Sequence, residues 1–444
     1  MRALQLLPFV SLLLLNVPLA CDPGSSVDSA SAGGSNGVPS TSSKPRNPLW
    51  DTPSEPPGTV DMTPPLAGEL DVLEQNRALG RGINLGNALD APREGLWGVT
   101  LHQYMFQVIK DAGFDSIRLP VKWSAYADEE APYTIDPKIF DRVDWAVAHA
   151  LTRGLRIVVD IHHYGNTDEE GIYDQPEKHH ERFLAMWKQI AEHYKDYPKE
   201  LYLEVLNEPR QKLEPLWNEY MLEAVKVIRE SNPGRTLVVG GIWWNKWDAL
   251  PRVEWPESDQ NIIATFHYYN PYCFTLQDGQ NWEPACVIPS DTKRKPKPGE
   301  ASWPLIYPDS PAGSDAEQRA RLEQDMAKAA DWSKTANRPL YMGEFGVSQG
   351  ADDAARADYT AALAKAASDN GISWAYWEFS SSMGIWSAAK MEWEAPMLAA
   401  LFPKGGSSTD TDNPPSTGMG GTSSKSTLNG GTAGAVAAGG TGGM

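Results

Sequence analysis

The strongest constraint on the fold is a repeating unit that occurs eight times between about residues 70 and 402. Each unit has a short β-rich run, a loop with polar or aromatic residues and an amphipathic helix. The run at residues 201–206 is mostly apolar and lacks a helical period, which favours a strand buried on both faces. Residues 136–150 instead carry apolar side chains at a helical spacing. Alternating units of this number and size predict an α/β protein with a (β/α)8 TIM barrel fold.

Polar or aromatic side chains stand at or near the C-terminal end of each run. Pro209 cannot donate a hydrogen bond to a neighbouring strand, so the fourth run stops pairing just after Glu208. The C-terminal strand ends of a parallel barrel converge on one face, so these side chains are expected to line one pocket. Taken singly, each also has a structural explanation, such as an ion pair, a buried histidine or a core aromatic. The full set is Asn87, Arg118, His162, Glu208, Trp244, His267, Tyr269, Glu344 and Trp377.

The two strand-end glutamates, Glu208 and Glu344, favour glycoside hydrolysis. This reaction needs one carboxyl group to protonate the leaving oxygen and a second to attack or to activate water. The main chemical alternative, zinc-dependent hydrolysis, would draw on His162, His163, His179 and His180. It is disfavoured because no His-Glu-x-x-His pattern occurs and neighbours on a strand point to opposite faces. No glycine-rich nucleotide motif follows a strand either, so the sequence predicts no metal and no cofactor.

Seven motifs in order make the chain similar to the family 5 glycoside hydrolases, and within them to bacterial endoglucanases and related mannan-active enzymes. The resemblance covers about residues 70–402. The motifs are residues 81–87 (RGINLGN), 115–120 (DSIRLP), 160–163 (DIHH), 206–209 (LNEP), 267–269 (HYY), 343–346 (GEFG) and 374–379 (WAYWEF).

The resemblance implies a retaining, endo-acting cleavage of β-1,4 bonds in cellulose and related β-glucans. Glu208 is then the general acid/base and Glu344 the nucleophile. Arg118 and Tyr269 are expected beside Glu344, where a positive charge and a hydrogen bond favour its ionised form. Asn207 would bind the sugar 2-hydroxyl. Other expected substrate contacts are His162 and His267, which would orient the carboxylates or the sugar, Trp377 as the floor, and His163, Trp244, Trp282, Asn87 and Asp90 around neighbouring subsites.

Asp90 departs from the family pattern, because similar enzymes have a glutamate in an otherwise matching stretch. The shorter side chain is expected to weaken a direct sugar contact. Several functions remain open on the same scaffold: an endo-β-1,4-mannanase, a xyloglucanase, a mixed-linkage glucanase, or a non-catalytic surface carbohydrate-binding protein. The last is disfavoured because both catalytic carboxylates are present.

The two ends of the chain predict export and flexible linkers. Residues 1–20 form a signal peptide, with an apolar run too short to span a bilayer. The sequence of residues 18–21 (PLAC) resembles a lipobox, so lipidation of Cys21 and ordinary cleavage are both open. Residues 21–65 are a Ser/Pro/Gly-rich linker, 66–403 the catalytic barrel and 404–444 a Gly/Ser/Thr-rich disordered tail. The expected location is secreted, or on the cell surface through a lipid anchor to a bacterial membrane.

The charge of the chain limits the binding partners that can be expected, and its cysteine content indicates a possible disulfide. The chain has 39 basic and 58 acidic residues, a net charge of −19, and no basic run that could follow a phosphate backbone. Nucleic acid is therefore not an expected partner. The expected partner is a β-linked polysaccharide, bound by a monomer. Export favours a disulfide between Cys273 and Cys286, with two unpaired cysteines as the alternative.

Overall fold

The structure is a computed structural model that describes residues 59–165, 171–276 and 315–403. These ranges leave out the predicted signal peptide, Cys21, most of the predicted linker, Trp282, Cys286 and the predicted C-terminal tail. The part of the predicted linker that is described already packs on the barrel. Pro65 is buried, and its carbonyl oxygen lies where a Cβ on Gly234 would come within 2.2 Å. The packed domain therefore begins slightly before residue 66.

The predicted barrel is confirmed. Eight parallel strands pair in sequence order, and the last pairs with the first to close the sheet. Their register is regular except for irregularities next to His267 and between Met342 and Phe345, where the two candidate site strands end. The strands are β1 (Arg81–Asn84), β2 (Ser116–Leu119), β3 (Arg156–Asp160), β4 (Leu201–Glu204), β5 (Leu237–Gly240), β6 (Ile262–His267), β7 (Leu340–Phe345) and β8 (Ser373–Tyr376).

Helices surround the barrel at the positions that the apolar spacing predicts. In the helix at Pro137–Leu151, Ile139, Val143 and Val147 are buried against the sheet, and the Asp136 side chain caps the first turn. Among the described residues the helices are α1 (Val72–Leu79), α2 (Gln103–Ala112), α3 (Pro137–Leu151), α4 (Pro176–Tyr194), α5 (Trp217–Ser231), α6 (Ile242–Asn245), α7 (Tyr272–Thr275), α8 (Asp315–Ala336), α9 (Asp353–Asp369) and α10 (Ala395–Leu401). A short hairpin, β9 (Trp386–Ser387) and β10 (Glu392–Trp393), follows β8.

Helix α1, which the sequence pattern did not predict, lies next to the N-terminal end of the barrel. Leu79 at its end packs into the barrel interior, and the Tyr202 hydroxyl donates to the Gln75 carbonyl at 3.1 Å. The inward side chains at this end form an apolar group, here called the lower layer. It consists of Leu79, Val158, Tyr202, Val238, Ile263, Tyr341 and Ala375.

The barrel interior changes from apolar to charged along its axis. Alternate residues of a strand share one face, so the inward position after Val158 is Asp160, and the one after Tyr202 is Glu204. Arg118 of β2 also points inward, and all three charged side chains are fully buried. With Glu344 they form what is here called the charged layer, which lies toward the C-terminal strand ends. In the part of the chain described, no helix is long and apolar enough to cross a membrane.

Candidate active site

Glu344 lies near the end of β7 and is held by two donors. The Arg118 guanidinium donates to Oε1 at 2.7 Å, and the Tyr269 hydroxyl donates to Oε2 at 2.9 Å. Both contacts were predicted. Burial raises the pKa of Glu344, while the positive charge of Arg118 and the hydrogen bond from Tyr269 act in the opposite direction. The two donors therefore counter the desolvation that would otherwise keep this carboxyl protonated.

Glu208 follows β4 and faces Glu344 across the mouth of the barrel. It adopts a left-handed backbone conformation with φ 50°, just before Pro209 ends the strand pairing. Its Oε1 lies 2.8 Å from Nδ1 of His267, which is also 3.5 Å from Oε2 of Glu344. Carboxylate oxygens of Glu208 and Glu344 lie within 4.8 Å of each other and of a His267 ring nitrogen. Such a short separation fits direct attack by one carboxylate and leaves too little room for an intervening water.

Arg118 is the centre of a buried ion network that was only partly anticipated. It forms a two-point contact with Glu204 at 2.7 and 2.9 Å, and an ion pair with Asp160 at 2.7 Å. One guanidinium thus faces three carboxylates, counting Glu344. Burial raises the pKa of Asp160 to about 6 and also raises the pKa of Glu204. The network has an excess of negative charge that no other described cation neutralises by direct contact.

Glu204 and Asp160 were absent from the predicted site, although a signal for them existed. Glu204 stands four residues before Glu208, and Asp160 two residues before His162. The period of two along a strand would have placed both inside the barrel, below the candidate catalytic residues. Asn84 accepts from Arg118 at 3.1 Å and completes the same group. It stands three residues before Asn87, so the period of two does not connect it with that candidate.

His162 and Trp377 form a stack that borders the site. Their ring centroids are 5.4 Å apart and their planes differ by 7°. The Nδ1 of His162 lies 2.8 Å from Asp160. Burial lowers the pKa of His162 well below its usual range, so its ring is neutral. Gly86 lets the indole approach, because a Cβ there would lie 2.7 Å from the Trp377 ring. Trp377, the residue predicted to form the floor of the site, is therefore packed on His162 and Gly86 and is partly exposed.

Asn207 is oriented by the same arginine that holds Glu344. Its side-chain oxygen accepts from Arg118 at 2.8 Å, and its backbone N–H donates to the carbonyl of Ile161 at 2.9 Å. Because Arg118 binds the oxygen, the amide NH2 is the end of the side chain suited to a sugar hydroxyl. The contact with the sugar 2-hydroxyl stays a prediction.

Asn87 and Asp90 lie beside Glu378, a third residue that was not predicted. The Asn87 backbone N–H donates to Asp90 at 3.0 Å, and its side-chain amide donates to Glu378. Asp90 has no exposed surface, so it supports Asn87 from beneath rather than lining the cleft. Burial raises the pKa of Asp90 to about 7 and that of Glu378 to about 8. Burial therefore favours the protonated form of both carboxyl groups, more strongly in Glu378 than in Asp90.

The rim of the site carries exposed aromatic rings. Trp97 is 42% exposed and Trp244 is 49% exposed. His163 packs against the edge of Trp97 with ring centroids 5.6 Å apart. The prediction that His162 and His163 point to opposite faces is wrong, because β3 ends at Asp160 and both residues lie in the following loop. Their ring centroids are 4.7 Å apart, and a nitrogen of each lies within 4.8 Å of an Asp90 oxygen.

Two predicted residues cannot be placed. Trp282 lies outside the described residues, so its place at a subsite stays a prediction. Cys273 lies in α7 and is disulfide-bonded, but Cys286 is outside the described residues. The Cys273–Cys286 pairing likewise stays a prediction.

With this geometry established, comparison with known proteins decides the family. The model of the family described as cellulase (glycosyl hydrolase family 5) matches residues 79–382, which include both glutamates and every strand of the barrel. The chain belongs to glycosyl hydrolase family 5. This agrees with the resemblance found in the sequence motifs.

Several relatives of this family 5 chain are named endoglucanases. Endoglucanase H of Acetivibrio thermocellus is 30% identical over 352 residues, covering 77% of this chain and 35% of that protein. Endoglucanase 1 of Ruminococcus albus is 28% identical, covering 72% of this chain and 78% of that protein. The chain thus spans about a third of the length of the first of these relatives. Among solved structures, Thermotoga maritima Cel5A in complex with cellobiose is 40% identical with a TM-score of 0.66, covering 74% of this chain and all of that one.

Proposed function

We propose that this protein is a retaining endo-β-1,4-glucanase that cleaves internal bonds of cellulose and related β-glucans by double displacement. The observation that carries the proposal is the pair of facing carboxylates, Glu208 and Glu344, within 4.8 Å of each other at the C-terminal mouth of the barrel. Retaining enzymes place their two carboxyl groups roughly 5 Å apart, and inverting enzymes space them several Å more.

In the first step Glu344 attacks the anomeric carbon while Glu208 protonates the leaving oxygen. Arg118 and Tyr269 hold both oxygens of Glu344, which keeps the carboxylate oriented for attack. Asn207 donates to the sugar 2-hydroxyl, an interaction that strengthens in the transition state.

In the second step Glu208 acts as a base toward water. Glu208 has already given its proton to the departing glucan in the first step. Once Glu344 is esterified its negative charge is gone, which makes Glu208 more acidic and keeps it ionised. The resulting carboxylate removes a proton from water, and the water oxygen displaces Glu344. His267 donates to Glu208 throughout this exchange, as its contact at 2.8 Å suggests.

An endo mode of cleavage is supported by the exposed rings of Trp97 and Trp244. Flat aromatic faces stack on sugar rings without capping a chain end, so they suit a long polymer lying across the barrel mouth. The names of the relatives, several of which are endoglucanases, support the same mode.

The test is to follow the viscosity of carboxymethyl cellulose together with the release of reducing ends. An endo-acting enzyme lowers the viscosity early, when few ends have formed. Proton NMR of the first products from a cellooligosaccharide should show the β-anomer. Release of monosaccharide alone, or a first product in the α-configuration, would contradict the proposal.

Azide separates the roles of the two glutamates. With an activated aryl cellobioside, Glu208→Ala should still form the glycosyl-enzyme, and azide should attack it to give the β-glycosyl azide. Glu344→Ala forms no covalent intermediate, so azide rescue gives the α-glycosyl azide by one displacement. The opposite pair of anomers would mean that the acid/base and the nucleophile are exchanged.

A mannanase activity is the second candidate. It is supported by Thermotoga maritima Cel5A in complex with mannotriose, which is 39% identical to this chain with a TM-score of 0.66. Aromatic stacking tolerates a change in one hydroxyl better than a closed set of hydrogen bonds does. Reducing-end release from glucan, mannan, lichenan and xyloglucan would rank these substrates. A kcat/KM on mannan above that on glucan would reverse the order of the two functions.

We further propose that the protein is exported as a monomer and held at a bacterial membrane by a lipid on Cys21. Support comes from the apolar N-terminus and the sequence PLAC at residues 18–21. Labelled palmitate should enter the wild type and not Cys21→Ser, which should appear in the soluble fraction. Light scattering of a variant lacking the signal peptide should give a monomer mass.

A further inference from the structure

We infer that Asn245 is a positioning residue whose side-chain amide fixes the tautomer of His267 and thereby decides which oxygen of Glu208 carries the acid proton. Asn245 lies outside the catalytic pair and the predicted subsites. The inference deepens the proposed function, because it rests on Glu208 being the general acid/base.

The first observation is the backbone after β5. Trp243 and Trp244 have left-handed conformations, with φ 57° and 58°, and Asn245 follows with φ 55°. Left-handed backbone costs about 1–2 kcal/mol for each residue that is not glycine. This turn sends Trp244 out to the rim and Asn245 into the interior, where Asn245 has no exposed surface.

The second observation is a close fit between Asn245 and Gly240. A Cβ on Gly240 would come within 2.1 Å of the Asn245 side-chain oxygen, so only glycine leaves room for the amide. The amide nitrogen of Asn245 then lies 3.4 Å from Nε2 of His267. Asn245 therefore connects the rim turn directly to the histidine that contacts Glu208.

The orientation of the Asn245 amide follows from which of its two ends, the oxygen or the NH2 group, is the less costly to bury without a hydrogen-bond partner. As placed, the Asn245 oxygen against Gly240 has no hydrogen-bond partner within the described part of the chain. The reverse orientation would direct the NH2 group at Gly240 instead. A buried carbonyl oxygen without a partner is more common than a buried N–H without one. The NH2 group therefore faces Nε2 of His267.

This orientation fixes the histidine tautomer. Burial lowers the pKa of His267, so its ring is neutral and has one N–H. Because Asn245 donates to Nε2, the ring proton must be on Nδ1, which donates to Oε1 of Glu208 at 2.8 Å. In a protonated carboxyl group the carbonyl oxygen is a stronger acceptor than the hydroxyl oxygen, so the N–H of His267 favours Oε1 as the carbonyl oxygen. The acid proton is thus placed on Oε2.

The alternative tautomer would disable the acid. With the proton on Nε2, Nδ1 would become an acceptor, and Glu208 would donate its proton to the histidine instead of the glycosidic oxygen. Asn245 excludes this arrangement because its N–H would then face another N–H. The expected consequence of losing the amide is a specific loss of acid catalysis.

The test uses two variants and one control in the full protein. Asn245→Gly keeps the left-handed backbone and removes the amide. Asn245→Asp keeps the shape but presents only acceptors to Nε2. Asn337→Gly changes another left-handed asparagine, with φ 51°, in the exposed turn before β7.

Nitrogen-15 NMR of the histidine-labelled protein reads the tautomer directly, with the His267 signal assigned from its loss in His267→Gln. The wild type and Asn337→Gly should show the proton on Nδ1, and Asn245→Asp should show Nε2 protonated. A wild-type ring protonated on Nε2 would overturn the inference. This readout needs no substrate, so it stands even if the proposed activity fails.

Leaving-group dependence supplies the kinetic test. The kcat/KM for phenyl cellobioside, which needs acid assistance, should fall about tenfold or more in Asn245→Gly and further in Asn245→Asp. The kcat/KM for 2,4-dinitrophenyl cellobioside should change less than about twofold, since that leaving group needs little protonation. Equal losses on both substrates would overturn the inference. A wild type that hydrolyses neither substrate would contradict the proposed function instead.

Discussion

The two ends of the barrel interior are built from opposite kinds of side chain. The lower layer is apolar and is sealed by α1, with Tyr202 bonded to Gln75. The charged layer lies closer to the C-terminal strand ends, two residues after the lower layer on β3 and β4, and holds Arg118 among Asp160, Glu204 and Glu344. The lower layer stabilises the fold by burying apolar surface. The charged layer is costly to desolvate and is explained by the chemistry at the strand ends above it.

The largest expected effect is on activity in the charged layer. Glu344→Gln keeps the shape of the side chain but removes the nucleophile. Its kcat on cellooligosaccharides should fall on the order of 10⁴-fold or more, while its denaturation midpoint stays close to the wild-type value or rises. Steady-state kinetics and urea denaturation measure the two quantities. A residual activity above about one per cent would contradict the assignment.

The next effect is on stability. Arg118→Met leaves three buried carboxylates without their cation and should lower the free energy of unfolding by about 3–5 kcal/mol. The matched control is Arg81→Met at the other end of the sheet, where an exposed ion pair with Asp115 at 3.6 Å should contribute less than about 1 kcal/mol. Urea denaturation of both variants compares the two ends directly. An equal loss of unfolding free energy in Arg118→Met and Arg81→Met would contradict the expected difference between the buried network and the exposed ion pair.

A smaller, pH-dependent effect is expected at Glu378. Its pKa is raised to about 8 by burial, so between about pH 5 and 8 the folded protein holds a proton that the unfolded chain has lost. The free energy of unfolding therefore falls as pH rises through this window. Glu378→Gln removes the pH dependence that comes from Glu378. Asp90, whose pKa is about 7, is present in both proteins, so its own pH dependence cancels in the comparison.

The stability of Glu378→Gln relative to wild type should consequently increase by about 2–3 kcal/mol from pH 5 to pH 7. Thermal or urea denaturation at several pH values gives the difference. A difference that does not change with pH would show that Glu378 is ionised in the folded protein.

The smallest effect belongs to the lower layer. Tyr202→Phe removes the hydroxyl that donates to Gln75 at 2.9 Å and should lower the free energy of unfolding by about 1 kcal/mol. The kcat should be unchanged, since the ring lies below the charged layer. A large loss of activity would mean that the lower layer and the charged layer are coupled.

Much of this architecture could be predicted from local pattern. The apolar runs and helical spacings identified all eight strands within a few residues, and the polar strand ends identified Glu208 and Glu344. Helix α1 was missed because it lies before the first β-rich run, whereas each repeating unit begins with its β-rich run. The prediction that His162 and His163 point to opposite faces was wrong because the alternation of side chains ends with β3, and both residues lie beyond that strand.

The sequence by itself determined the barrel and the identities of the facing carboxylates, because hydrophobic periodicity and strand-end chemistry are local properties of the chain. Only the tertiary structure decided which charges share one cation, that Asp90 lies beneath Asn87, and that Asn245 reaches His267. Arg118 and Glu344 are 226 residues apart, and their pairing depends on barrel closure and register. The raised pKa of Glu378 likewise comes from burial, which depends on the packing of the whole fold.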